Sequence, residues 1–133
     1  MSVGYNAAAE FFVDKHARDT EHRVTGRIEE RQRSSGVWVS TAAGSTAGMK
    51  SAGGKVLPID STKIQYLPRE LFGGHGARYA LSGGVLPAGA AIEIVSRMQE
   101  GMAYIDGAHR KIPLRYGERL VVRPSRYPLK AIL

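Results

Sequence analysis

Between Lys63 and Leu133 the chain is a succession of short runs rich in Val, Ile, Leu and Tyr, each closed by Gly, Pro or Asp-Gly. β-branched and aromatic runs bounded by such residues read as strands and turns, and they leave no room for long helices. The expected strands are Lys63–Leu67, Arg78–Leu81, Ala91–Arg97, Met102–Ile105, Lys111–Leu114, Arg119–Val122 and Leu129–Leu133. Asp106-Gly107 is a hairpin dipeptide between two of them. Upstream, Val37–Thr41 is a further strand, and Ser34-Ser35-Gly36 breaks the chain before it. Residues 22–32 suit a strand pair turning near Gly26. Residues 7–18 suit either an Ala-rich helix capped by Asn6 or a strand beginning at Glu10-Phe11-Phe12-Val13. Leu71–Ala77 reads as a loop. The class is mainly β.

With 133 residues, the chain is read as one domain, spanning 1–133, large enough to bury roughly two thirds of its extended surface. It has no cysteine. That excludes a disulfide scaffold, a thiolate zinc site, an iron–sulfur cluster and a cysteine nucleophile. Apolar runs fall far short of the roughly 20 residues that span a bilayer. Met1 to Asn6 have no basic flank followed by an apolar core, so no signal peptide is expected. A soluble, cytoplasmic protein is the expectation.

The net charge of +7 is concentrated at one end. Residues 110–133 hold Arg110, Lys111, Arg115, Arg119, Arg123, Arg126 and Lys130 against Glu118 alone. Such a segment suits either a polyanionic partner or a solvated positive face. Arg115-Tyr116 and Arg126-Tyr127 combine charge with stacking surface for a nucleic acid, though tyrosines beside strands more often pack at a core edge.

The most informative stretch is residues 42–54, AAGSTAGMKSAGG, directly after the Val37–Thr41 strand. Gly44 with Ser45-Thr46 suits a strand-to-helix turn, with a short helix over Thr46–Ala52 stopped by Gly53-Gly54. Small residues at such a junction let backbone N–H groups approach an anion, with the helix N-terminus adding to the attraction. A tight packing turn is the plainer alternative. The spacing excludes a Walker phosphate loop, because Met49 separates Gly48 from Lys50, and it contains no Gly-x-Gly of a dinucleotide fingerprint. His16, His22, His75 and His109 are scattered without metal-ligand spacing, so no metal site is expected. No Gly-x-Ser-x-Gly elbow is present for acyl transfer.

Gly36-Val37-Trp38-Val39-Ser40-Thr41-Ala42-Ala43-Gly44-Ser45-Thr46-Ala47, then Lys50-Ser51-Ala52-Gly53-Gly54, resembles the NAD kinase family. The family carries Asp-Gly, three apolar residues, Ser/Ala-Thr-Pro-Thr-Gly-Ser-Thr-Ala-Tyr and a later Ser-Ala-Gly-Gly. The end is similar too: Ile105-Asp106-Gly107, then Leu114-x-x-Gly117-Glu118-x-Leu120-x-Val122 and Ser125-x-x-Pro128-Leu129. The resemblance covers most of residues 27–133. It implies a C-terminal β-sandwich domain with one short helix after the Gly/Ser/Thr loop. It also implies binding of NAD or NADP within an enzyme that phosphorylates the adenosine-ribose 2′-hydroxyl of NAD with ATP and magnesium.

By position, the resemblance puts Ala43, Thr46, Ala47 and Ser51 along the dinucleotide, with Gly44 and Ser45 shaping the turn. Ser35 takes the place of an aspartate, Ala42 and Ala43 of a proline and a threonine, and Gly48 of a tyrosine. Glu10 stands for an upstream glutamate with Ala9 where asparagine belongs, or Asn6 is that asparagine out of register. The Gly-Gly-Asp-Gly-Thr catalytic loop is absent from this sequence; Phe72-Gly73-Gly74-His75-Gly76 lacks the aspartate. The expectation is a chain inactive alone, a homo-oligomer (dimer or tetramer), with ATP and magnesium belonging only to a complete enzyme and an N-terminal catalytic domain as partner. The alternative is a non-catalytic dinucleotide-sensing or protein-interaction module on the same fold. Neither membrane nor nucleic acid is a favoured partner.

Overall fold

The computed structural model describes residues 2–3, 7–14, 27–73, 76, 78–127 and 130, with side chains from Ile28 onward. Strands are β1 (Ser2–Val3), β2 (Ala7–Asp14), β3 (Arg27–Ser34), β4 (Gly36–Ser40), β5 (Gln65–Arg69), β6 (Gly84–Val85), β7 (Ala91–Ser96), β8 (Glu100–Ile105), β9 (Arg110–Arg115) and β10 (Arg119–Val122). A 3-10 turn over Ala43–Thr46 and a single α-helical turn α1, Gly48–Ser51, follow β4. One sheet has the order β6-β5-β4-β1-β8-β9 and the other β10-β7-β2-β3, with antiparallel pairing at every neighbour.

The two sheets share one core. Val37 and Val39 of β4, Tyr66 of β5, Ala103 of β8 and Leu114 of β9 meet Ile92 and Ile94 of β7 in one buried cluster. Strand alternation explains the choice: β7 buries Ile92, Ile94 and Ser96 and leaves Ala91, Glu93 and Val95 half-buried. The chain passes between sheets at a one-residue corner. Ser35 separates β3 from β4 and donates its N–H to the Arg69 carbonyl at 2.9 Å, while Gly36 takes φ 140, a region that favours glycine. The predicted break at Ser34-Ser35-Gly36 is thus the sandwich corner.

Several expectations shift. The 7–18 segment is a strand over Ala7–Asp14, the rest of it lying outside the described residues, and it pairs antiparallel with β3, Asp14 opposite Arg27. Arg27–Ser34 runs as one strand against β2; the turn expected near Gly26 lies outside the described residues. The strand expected at Lys63–Leu67 lies at Gln65–Arg69, with Pro68 opposite Val37. Arg78–Leu81 is not a strand. The Glu30 carboxylate takes the N–H groups of Ala80 (2.6 Å) and Leu81 (3.3 Å), bonds that a ladder would otherwise supply. The strand expected over Leu129–Leu133 falls outside the described residues except Lys130, which is irregular.

Tyr66 is 6% exposed and gives the core a titratable group. Burial pushes its phenol above the ordinary value, the Gly83 N–H pulls it partly back, and the Glu30 charge adds to the rise. A raised acid pKa means that the folded chain keeps its proton where the unfolded chain loses it. The stability from Tyr66 is therefore complete below the unfolded value of about 10 and is lost as pH climbs from there through the folded value. Melting temperatures should fall more steeply above that pH in the native chain than in Tyr66→Phe. Parallel curves would sink the assignment.

Candidate functional site

The loop after β4 is held by its own small residues. Ser45 is fully buried; its hydroxyl donates to the Ala42 carbonyl at 2.7 Å and accepts the Leu57 N–H at 2.9 Å. Gly53 ends α1 at φ 93: the Gly53 N–H reaches Lys50 O (3.0 Å) and the Gly54 N–H reaches Met49 O (2.8 Å). This paired closure satisfies carbonyls that a helix end would leave bare. Gln65 then clasps the Lys55 backbone through both ends of its amide. The helix expected over Thr46–Ala52 is reduced to Gly48–Ser51, preceded by the 3-10 turn. One turn aligns too few peptide dipoles to act as the anion-attracting terminus expected from the sequence.

This loop forms one wall of a cavity of about 1170 Å³. Other walls come from β4 (Trp38, Ser40), from β8 and the turn after it (Tyr104, Asp106, Gly107), from β10 and the residue after it (Leu120, Val122, Arg123), and from Arg69 of β5. The β8–β9 connection spans four residues, since Ile105 pairs with Arg110, and both Asp106 (φ 52) and Gly107 (φ 103) take positive φ. Trp38 and Ser40 are half-buried, while Val37 and Val39 between and beside them are buried in the core. The Ser40 hydroxyl oxygen is buried without a hydrogen-bond partner. Such an orphan costs about 1–3 kcal/mol.

Where the resemblance expects a tyrosine, Gly48 meets the indole of Trp38. A Cβ built on Gly48 would stand 3.2 Å from Trp38 Cη2 and 3.3 Å from Cζ3. The Arg69 guanidinium lies over the same indole, 5.8 Å from its centroid. Arg69 is also paired with Glu70 at 3.6 Å, a largely solvated contact of little energetic weight.

Of the residues taken from the resemblance, Ser35, Ala43, Gly44 and Ala47 line the cavity. Ser45 instead pins the loop from inside. Thr46 and Ser51 are exposed and outside the cavity lining. Glu10 is placed only by backbone, in β2 opposite Arg31 and Val95. Sequence reading missed Trp38, Ser40, Arg69 and Tyr104 as cavity residues. The alternation in Val37-Trp38-Val39-Ser40 was the signal for the first two. For Arg69 no local signal exists, since its place depends on the β4–β5 register.

Three cations of the basic segment are engaged in different places. Arg119 pairs with Glu93 at 3.1 Å, Lys111 Nζ lies 5.9 Å from the Tyr104 ring centroid, and Arg123 faces the cavity. Tyr116 accepts a hydrogen bond from Arg97 at 2.9 Å, and the Arg97 guanidinium lies over its ring. Among the described residues, no three His, Asp or Glu side chains come together to hold a metal ion. Among them too, no helix is long and apolar enough to cross a membrane.

The fold is that of solved NAD kinases. It superposes on an NAD kinase from Archaeoglobus fulgidus in complex with ATP at a TM-score of 0.69, with 20% identity, covering 96% of this chain and 45% of that one. It matches yeast NADH kinase complexed with NADH at 0.68, with 19% identity, covering 96% and 34%. No family model matches the chain. In sequence it is 42% identical over 101 residues to a probable NADH kinase of Oryza sativa subsp. japonica, and 33% identical over 90 residues to an NADH kinase of Arabidopsis thaliana. In sequence and in fold, the chain is similar to the NAD(H) kinases. It spans 31% and 28% of the length of those two plant relatives and 76% and 68% of itself in the matches.

Proposed function

We propose that this chain is the C-terminal-type, dinucleotide-holding domain of an NAD kinase-like enzyme, and that NAD or NADP occupies the cavity beside the 41–49 loop. The observation that carries the reading is the cavity itself: Ala43, Gly44 and Ala47 wall it together with Ser40. Small side chains let a flat polar ligand approach the backbone closely. Arg69 and Arg123 supply positive charge for its phosphates. The names of the sequence relatives support NAD(H) as the ligand class.

Phosphoryl transfer to a ribose hydroxyl needs a group to take the proton, a positioned donor and charge neutralisation. ATP with magnesium supplies the phosphoryl group and offsets its charge when bound. The described residues offer no metal-holding set, and the sequence has no Gly-Gly-Asp-Gly-Thr, so no step is assigned to them beyond holding the acceptor. The chain alone is therefore expected to form no NADP from NAD and ATP. A catalytic-loop domain, assembly into a dimer or tetramer, and a cytoplasmic setting complete the proposal.

Isothermal titration with NAD and with NADP, at low and moderate salt, tests it. Saturable heat that survives the added salt supports a pocket for one dinucleotide. Affinity falling steeply with salt would point to a polyanion instead. No heat with either ligand would remove the reading. Ser40→Ala separates ligand from packing: the free protein should melt no lower, because an unsatisfied buried hydroxyl is gone, while dinucleotide affinity drops about tenfold. Unchanged affinity would take Ser40 out of the site.

A further inference from the structure

We propose that Trp38 is the stacking wall of the cavity, its indole taking the face of one planar ring of the bound dinucleotide. This rests on the dinucleotide reading above and deepens it.

Trp38 is the third residue of β4, and its neighbours Val37 and Val39 are 1% and 3% exposed in the core. Alternation along the strand therefore turns the indole away from the core, and it stands outside the buried cluster. A ring of this size that faces a cavity instead of filling the interior is a contact surface in waiting.

Two features hold it there. A Cβ at 48 would stand 3.2 Å and 3.3 Å from the outer edge of the benzo ring, so the indole keeps this place without crowding only because residue 48 is glycine. Arg69 lies two residues along β5 from Leu67, the residue opposite Trp38, and reaches its guanidinium over the indole. The ring is thus set before any ligand arrives, which spares the entropy of ordering it. An aromatic surface, a guanidinium 5.8 Å from its centroid and a loop of small residues at its edge match a planar heteroaromatic ring joined to phosphate. Adenine and nicotinamide share that chemistry. The glycine at 48 and the tryptophan at 38 form one device: the aromatic wall rises from the strand, and the loop makes way for it.

Trp38 is the sole tryptophan of the chain, so its fluorescence reports this ring alone. The full chain is titrated with NAD and with NADH, following emission and heat in parallel. Quenching by NAD with the midpoint seen calorimetrically is expected, together with energy transfer from Trp38 to reduced nicotinamide. Acrylamide should quench the free protein more than the NAD-bound one. Heat without any change in Trp38 emission or accessibility would overturn this assignment and leave the dinucleotide reading standing. Absence of heat with both ligands would remove that reading and this one with it.

Trp38→Leu should bind NAD about tenfold more weakly, and Trp38→Phe should recover most of the loss. Equal affinity in the native chain and a folded Trp38→Leu variant would also overturn the proposal. AMP and nicotinamide mononucleotide identify the ring, since the fragment that quenches carries it.

Discussion

Gly101→Val is expected to lower the unfolding free energy by about 3 kcal/mol or more, and to weaken dinucleotide binding with it. Gly101 sits in β8 opposite Leu114 of β9. A Cβ there would stand 2.5 Å from the Leu114 carbonyl oxygen, 2.7 Å from Met98 Cε and 3.4 Å from Ser96 Oγ. The methionine can turn aside, but the carbonyl belongs to the strand itself. Ser96 makes the point rigid: fully buried, it donates to Leu114 O at 3.2 Å, accepts the Met98 N–H at 3.2 Å, and its backbone bonds Gly117 and Glu118. Prising β9 from β8 loosens this tie between the sheets and displaces the Asp106-Gly107 turn at the cavity. At roughly 3–5 °C per kcal/mol, the melting temperature should drop by about 10 °C or more. Gly73→Ala, whose Cβ would meet nothing within 4 Å among the described residues, is the control. A Gly101→Val variant that melts within about 2 °C of the native chain would refute the close packing claimed for this strand pair.

Ile94→Ala should cost about 3 kcal/mol for a different reason, the loss of buried methylenes and the cavity left behind. Ile94 has no exposed surface and lies mid-strand in β7, opposite Leu120 of β10 on one side and Phe11 of β2 on the other. Its neighbours are strand residues held by ladders on both sides, so they cannot collapse far into the space. Ile112→Ala is the comparison. Ile112 is 43% exposed on β9, and its truncation should change stability by less than about 1 kcal/mol. Urea unfolding with both variants at constant m would check the pair, and similar losses in the two would contradict the assigned core.

The downstream strands were legible because their signals are local. Ala91–Ser96, Glu100–Ile105, Arg110–Arg115 and Arg119–Val122 lie within a residue or two of the expected runs, most of their ends marked by a nearby Gly, Pro or Asp-Gly. The stop at Gly53-Gly54 was legible for the same reason, since a left-handed residue after a helical turn is a backbone demand that glycine meets. Arg78–Leu81 misled because the composition of a strand does not supply a partner. There the ladder bonds were replaced by one carboxylate, Glu30, some 50 residues away in sequence. Ser45 and Thr46 show the limit most sharply. Adjacent and chemically alike, they part company because one hydroxyl turns inward to Ala42 and Leu57 and the other faces solvent.

What residue order alone settled, then, was the β class, the turn positions and the likeness of residues 36–54 to a dinucleotide-kinase loop. Those features depend on backbone preferences and short spacings, which act within a few residues. Register and sheet order decided the rest. Arg69 reaches Trp38 only because Leu67, and no other residue of β5, pairs opposite the indole. Arg123 shares a cavity with the 41–49 loop because β10 joins the sheet of β7 while β9, just before it, joins that of β8. Contacts between residues far apart in sequence depend on the packing of whole strands, and a one-residue slip would turn every one of these side chains to the other face.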